Sequence, residues 1–155
     1  MYFVCSYSKK IYNNIKKPIT FSDIGKPLEV RYNWEGVKKD IDVDESQKTL
    51  WRYRSVLPNV NNIISLGEGY TPLQQLAPDL YVKNETVNPT GSFKDRGMSL
   101  AVTLAKAQGV EEICLPSAGN AGISAAAYCK EAGIKCHVFL PETIPSEYKL
   151  SLIHI

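Results

Sequence analysis

A chain of 155 residues that is 44% hydrophobic and 22% charged has the makeup of a cored globular protein, which excludes disordered and fibrous classes. A formal net charge of +2 without a concentrated basic patch argues against a nucleic-acid partner and against an acidic membrane surface. The amino terminus has no basic leader followed by an apolar stretch, and no run of about 18 apolar residues occurs, so a soluble, intracellular, cytoplasmic protein without a membrane partner is expected.

In chain order, Tyr2-Phe3-Val4 reads as a short strand, Lys9 to Lys17 is basic and Asn-rich, and Leu28-Glu29-Val30-Arg31-Tyr32 alternates like a strand. Residues 1–35 therefore form a small, irregular antiparallel segment. Residues 36–79 read as a linker and loops. From Asn33 to Leu50 there is no apolar stripe, and Asp40-Ile41-Asp42-Val43-Asp44-Glu45 is an exposed connection. Trp51-Arg52-Tyr53-Arg54 interleaves aromatic and basic residues as single-stranded nucleic-acid platforms do. One such tetrad in a nearly neutral chain is better explained by aromatic packing with snorkelling arginines. In Ser65-Leu66-Gly67-Glu68-Gly69-Tyr70-Thr71-Pro72-Leu73, two glycines and a proline make a loop whose backbone can pass close to another group.

Residues 80–155 read as α/β. Leu80 to Glu85 is a strand, and Asn88-Pro89-Thr90-Gly91 is turn chemistry. Ser92, followed three residues later by Asp95, is a capping box, and it starts a helix with Gly97, Leu100, Ala101, Leu104 and Ala105 on the expected buried face and Gly109 at its end. Glu112 to Pro116 is a strand, Ser117 to Gly122 a turn, Ile123 to Ala132 an Ala-rich helix stopped by Gly133, and Lys135 to Leu140 a strand. This β-α-β order implies a parallel sheet with a right-handed crossover. Ala125, Ala126 and Ala127 let the helix approach the sheet. Pro141 to Lys149 leads to a new helix start, and Ile155 falls in mid-element.

Lys94 sits in the first turn of its helix, where unpaired N–H groups and the positive end of the macrodipole disfavour an ammonium. A neutral amine there suits Schiff-base chemistry with an aldehyde; a solvated surface lysine is the other reading. A P-loop is excluded, because Gly91 to Lys94 lacks the Gly-x-x-x-x-Gly-Lys-Ser/Thr spacing. Asn120, at the carboxyl end of a strand, is a cap or a ligand group. Ser117-x-Gly119-x-x-Gly122 with Glu142 matches a dinucleotide fingerprint that lacks its first glycine. The four cysteines, Cys5, Cys114, Cys129 and Cys136, form no Cys-x-x-Cys pair and read as reduced. His137 and His154 are too few and too isolated for a metal or triad site and read as structural.

The ten residues Asn88-Pro89-Thr90-Gly91-Ser92-Phe93-Lys94-Asp95-Arg96-Gly97 resemble the lysine motif of threonine synthases, in the tryptophan-synthase-β-like (fold type II) group of pyridoxal-phosphate enzymes. Leu50 to Pro58, Ser65 to Leu73 and Gly25 to Tyr32 resemble other signatures of the same family. The resemblance spans nearly the whole chain but only the front part of a family member, so an incomplete two-domain fold type II enzyme is expected. It implies pyridoxal 5'-phosphate as cofactor, a Schiff base at Lys94, which also serves as base, and an Asn120 contact with the cofactor's phenolic oxygen. Ser117, Gly119 and Ala121 would hold the carboxylate of an amino-acid substrate through backbone N–H groups. Many relatives have threonine at the position of Ala121. The reaction implied converts O-phospho-L-homoserine and water to L-threonine and phosphate. Sister activities (threonine or serine dehydratase, cysteine or cysteate synthase) and a non-catalytic α/β nucleotide-binding module remain as alternatives.

By the same resemblance the glycine-rich phosphate loop and the group facing the pyridine nitrogen lie beyond Ile155. The 155 residues alone are therefore expected to be inactive, and the full-length protein to be a homodimer. Threonine synthases often open with a zinc ribbon of two Cys-x-x-Cys pairs. Here the pairs would read Cys5-Ser6-Tyr7-Ser8 and Ser22-Asp23-Ile24-Gly25, one thiol in four positions, so a ribbon-like shape without metal is expected.

Overall fold

The computed structural model describes residues 2–13, 19–35, 41–143 and 146–147. The expectations for the basic stretch up to Lys17, for Asp40, for the helix start after Ile144 and for His154 fall wholly or partly outside the described residues. The chain divides into two compact units, Met1–Asp42 and Val43–Ile155.

The first unit is a three-stranded antiparallel sheet with β1 (Tyr2–Cys5) between β2 (Ile11–Tyr12) and β3 (Leu28–Arg31). Its centre is the fully buried Cys5, whose thiol lies 3.4 Å from Ser22 Oγ and accepts the Ser8 N–H at 3.3 Å. Ser22 Oγ in turn accepts the Lys26 N–H at 3.0 Å. The Cys5 thiol thus stands between Ser8 and Ser22 and is bonded to both. Those bonds, led by the one with Ser22, lower the Cys5 thiol to about 7. Among the described residues no group of three His, Cys, Asp or Glu side chains is arranged to hold a metal.

The second unit is mixed α/β. A 3-10 helix, Leu50–Val56, leads to the antiparallel hairpin β4 (Leu73–Ala77) and β5 (Leu80–Lys83). After a short 3-10 turn at Glu85–Val87 comes α1 (Lys94–Ala107), then β6 (Glu112–Pro116), α2 (Asn120–Ala132) and β7 (Lys135–Phe139). β6 and β7 pair in parallel with Ile113 opposite Cys136 and Leu115 opposite Val138. α2 is the crossover, as expected from the strand-helix-strand order. Gly133 at φ +64° ends α2, and Gly109 at φ +74° follows the end of α1. Val102 of α1 packs with Tyr128, Cys129, Ala132 and Ile134, and Ile64, Met98 and Ile113 extend this core. Burial raises the Cys129 thiol to about 12, in keeping with an inert core cysteine. His137 lies on β7 with Nε2 3.2 Å from Glu112 Oε2. No helix among the described residues is long and apolar enough to cross a membrane.

Three local expectations are corrected. The buried face of α1 is Asp95, Ser99, Val102 and Thr103, whereas Gly97 and Ala101 are exposed. Hydrophobicity points to the wrong stripe because the burial of this face is satisfied by hydrogen bonding: Trp51 Nε1 donates to Ser99 Oγ (2.9 Å), Ser99 Oγ to the Ile64 carbonyl (2.8 Å), and the Ile64 N–H to Thr103 Oγ1 (2.9 Å). The capping box is absent. Ser92 Oγ accepts the Lys94 N–H at 3.3 Å, but Asp95 turns away to Thr90 and Ser124. α2 also begins at Asn120, three residues before the expected start, and its first turn is capped by Ser117, whose Oγ accepts the Gly122 N–H at 2.9 Å.

Candidate functional site

The turn that precedes α1 is held in place from three sides. Asn88, almost fully buried, accepts the Gly69 N–H at 3.0 Å and donates to both the backbone and the carboxylate of Glu85 at 2.9 Å. Glu85 forms a two-pronged ion pair with Arg96, Nε and Nη2 each at 2.8 Å, and accepts the Thr71 hydroxyl at 2.6 Å. Arg96 above all, then Thr71 and Asn88, hold the Glu85 carboxyl down at about 2. Asp95, with no exposed surface, accepts the Thr90 N–H at 2.7 Å and the Thr90 hydroxyl, so the turn is closed on its own helix.

The Ser65–Leu73 loop lies against this turn, as its glycines suggested. Gly69 has φ +97°, and a Cβ there would stand 2.7 Å from the Leu50 nitrogen and 3.1 Å from the Thr49 carbonyl carbon. Only glycine fits where two backbones come this close. The fully buried Glu68 fixes the loop to α2: it accepts the Tyr128 hydroxyl at 2.8 Å, the Ser65 hydroxyl at 3.0 and 3.1 Å, and the Leu66 N–H at 3.1 Å. Burial, with the neighbouring Glu68 carboxylate, pushes the Tyr128 hydroxyl far up its titration range, so it stays a donor.

Of the residues singled out by sequence, Lys94 is the first residue of α1, half-buried, with its Nζ 4.3 Å from the centre of the Phe93 ring. Among the described residues it makes no side-chain hydrogen bond or ion pair. Asn120 is the first residue of α2, exposed, with its amide likewise unpaired among the described residues. Ser117, Gly119 and Ala121 form the loop from β6 into α2. This loop is anchored to the sheet by the Ser117 N–H, which donates to the Phe139 carbonyl at 3.1 Å. The Gly122 Cα lies so close to β7 that a Cβ would meet Val138 at 2.9 Å.

One hydrogen bond joins the two helix beginnings. Ser124 Oγ donates to Asp95 Oδ1 at 2.6 Å in a buried setting. Asp95 follows Lys94 in sequence, and Ser124 lies one helical turn after Asn120 on the same face. The N-terminal ends of α1 and α2, with Lys94 and the Ser117–Ala121 loop on them, are thereby neighbours. Neither Asp95 nor Ser124 was singled out in this role from sequence; Asp95 looked like a cap, and a serine within an Ala-rich helix carries no signal of its partner.

The chemistry of these groups suits a pyridoxal cofactor. A primary amine without an ion-pair partner is what an aldehyde needs to form an imine. Asn120 offers an amide for an oxygen. The N–H groups of Asn120 and Ala121 have no acceptor among the described residues, at a helix start where anions bind. The residues present fit the group.

Comparison with known proteins agrees. Residues 64–154 match the model of a family described as pyridoxal-phosphate dependent enzyme. The chain is 43% identical over 133 residues to a threonine synthase of Methanocaldococcus jannaschii, covering 77% of this chain and 33% of that protein. It is 50% identical over 103 residues to a threonine synthase of a Bacillus species, covering 60% of this chain and 29% of that protein. With a threonine synthase of Halalkalibacterium halodurans the identity is 44% over 102 residues, 60% of this chain and 29% of that protein. The matched stretch thus spans about a third of the length of these curated relatives or less. With a family match over more than half its length, the turn and the helix ends described above included, this chain belongs to the pyridoxal-phosphate dependent enzymes.

Proposed function

We propose that the protein of which this chain is part converts O-phospho-L-homoserine and water to L-threonine and phosphate, with Lys94 as its Schiff-base lysine. The observation that supports this most strongly is the juxtaposition of the unpaired Lys94 amine with the Ser117–Ala121 loop through the Asp95–Ser124 bond. The likeness to threonine synthases narrows the reaction among sister enzymes.

Pyridoxal phosphate, when bound, supplies the electron sink for charge that develops beside the substrate's amino group. The protein's own residues do the rest. Lys94 would hold the cofactor's aldehyde through Nζ, and its amine would take and return protons at the substrate carbons. Asn120 would hold the cofactor's phenolic oxygen through its side-chain amide. The N–H groups of Asn120 and Ala121 hold the substrate carboxylate, with Ser117 and Gly119 keeping the loop in the shape that exposes them. Asp95 and Ser124 keep Lys94 in register with that loop, and Glu85 and Asn88 keep the preceding turn from shifting. A misplacement of about 1 Å between such groups costs on the order of 100-fold in rate.

The test is release of inorganic phosphate from O-phospho-L-homoserine by the full-length protein with pyridoxal phosphate. Phosphate and threonine formed in equal amounts, and lost in Lys94→Ala, are expected. Release of ammonia and an oxo acid from threonine or serine, without phosphate release from O-phospho-L-homoserine, would make the protein a dehydratase instead.

A further inference from the structure

Asn120, Ser124 and Tyr128 follow one another along α2 at one helical turn apiece, so one face of the helix carries a site residue and two buried hydroxyls. The Ser124 hydroxyl is bonded to Asp95, the neighbour of Lys94. The Tyr128 hydroxyl is bonded to Glu68 at 2.8 Å. Glu68 has no exposed surface and, among the described residues, forms no ion pair. A carboxylate buried without a cation weakens a fold unless hydrogen bonds compensate it, so its worth lies in the geometry that those bonds impose. The bonds from Ser65 and Leu66 close the loop on itself, and the bond from Tyr128 is the one that leaves it. At the next residue the backbone is tied to the lysine turn, because the Gly69 N–H donates to Asn88. Glu68 and Gly69 therefore connect the turn before Lys94 to the middle of α2.

Packing alone specifies the direction of α2 weakly. Gly122, Ala125 and Ala132, on its buried side, are too short to form ridges that interlock with their neighbours. With the Asp95–Ser124 bond as its one polar tether, the helix can pivot about Ser124. Tyr128 lies about 6 Å along the axis to one side of that point and Asn120 about 6 Å to the other. The two arms are equal, so a sideways shift of about 1 Å at Tyr128 carries Asn120 about 1 Å the opposite way, enough to cost on the order of 100-fold in rate. A second tether at Tyr128 removes that freedom.

We propose that Glu68 is a positioning residue for the candidate site: through the Tyr128 hydroxyl it sets the direction of α2, and with it the place of the Asn120 amide and of the Asn120 and Ala121 N–H groups relative to Lys94. This role rests on the reading of Lys94 and Asn120 as residues that hold the cofactor, and it is independent of which amino acid is the substrate. Asp95 and Glu68 thus act as a pair, one bond at each of two successive turns of α2, and both bonds lead back to the lysine turn.

The test compares the full-length protein, with pyridoxal phosphate bound, with its Tyr128→Phe variant, which keeps the ring and removes the bond. Hydrogen exchange read by mass spectrometry should quicken about tenfold over Gly122 to Ser124, while β6 and β7 exchange as in wild type. Turnover of O-phospho-L-homoserine should fall about tenfold in kcat with KM within about twofold, the mark of groups misaligned for the reaction and not of weaker binding. Should Tyr128→Phe not fold, Tyr128→Phe combined with Glu68→Met removes donor and acceptor together; this pair is expected to fold and to keep both defects. Three results would each overturn the proposal: unchanged exchange over Gly122 to Ser124 in a folded variant, quickening spread evenly over the second unit, or wild-type kcat in the paired variant. Exchange is read without turnover. A wild type that releases no phosphate from O-phospho-L-homoserine therefore refutes the proposed reaction, and the exchange pattern still decides the role of Glu68.

Discussion

Gly67 and Gly69 offer a matched pair for measuring how closely the Ser65–Leu73 loop is packed. Their φ angles are +99° and +97°, so alanine pays nearly the same backbone penalty at either position, about 1–2 kcal/mol. Whatever alanine removes from the entropy of the unfolded chain is also common to both. The surroundings differ: a Cβ at Gly67 meets nothing within 4 Å, whereas one at Gly69 meets the backbone of Leu50 at 2.7 Å and of Thr49 at 3.1 Å, with an Arg96 nitrogen at 3.3 Å. Backbone cannot swing aside as a side chain does, so overpacking adds about 1–3 kcal/mol at Gly69. The strain falls on the Leu50 N–H to Glu68 carbonyl bond (2.8 Å) and on the Gly69 N–H to Asn88 bond, which holds the lysine turn. Urea denaturation followed by far-UV circular dichroism should therefore give a Gly69→Ala loss exceeding that of Gly67→Ala by about 1–3 kcal/mol. Equal losses would refute the close approach and with it the claim that this loop braces the turn.

Acid should unlock the same region. Glu85 has its folded-state carboxyl lowered from 4.5 to about 2, so its contribution is fully present above pH 4.5 and is lost as the pH falls from there toward 2. With both side chains of the pair about a quarter exposed, the contribution is roughly 1–3 kcal/mol after screening. Stability measured across that window should fall less steeply in Glu85→Gln than in wild type, and parallel curves would contradict the assignment. Replacing Ser99 by alanine leaves the buried Trp51 indole N–H without its acceptor, which should cost about 1–3 kcal/mol in the same denaturation assay; a loss near zero would mean that the indole finds another partner. In the first unit, the combined Ser8→Cys, Ser22→Cys and Gly25→Cys variant, added to Cys5, should take up one equivalent of zinc by elemental analysis after dialysis, and the unmodified protein none. Zinc retained by the unmodified protein would show that ligands other than the knuckle positions serve.

How far the sequence carried depended on whether a feature was encoded locally. β6, β7, β1 and the glycine ends of α1 and α2 follow from periodicity and turn chemistry, and each lies within a residue or two of its expected bounds. The hairpin of β4 with β5 was half seen: Leu80 to Glu85 reads as a strand, but all residues of β4 are exposed and Leu73-Gln74-Gln75-Leu76-Ala77 has no strand pattern. The buried face of α1 was illegible for a different reason. Ser99 and Thr103 are buried because Trp51 and Ile64, far away in sequence, supply their hydrogen bonds, and no pattern within the helix shows that. Within the candidate site, the motif makes Lys94 and Asn120 visible, while Asp95, Ser124 and Glu68, which align the elements, are identified only by their partners.

The central claim is that Lys94 alone among the lysines carries the cofactor. Borohydride reduction of the full-length protein with pyridoxal phosphate, followed by proteolysis and mass spectrometry, reads this directly. The account predicts one pyridoxyl-modified peptide, the one containing Asn88 to Gly97 with the adduct on Lys94, and no such peptide in Lys94→Ala. A stoichiometric adduct on any other lysine, or none at all in a protein that is folded and saturated with the cofactor, would contradict it.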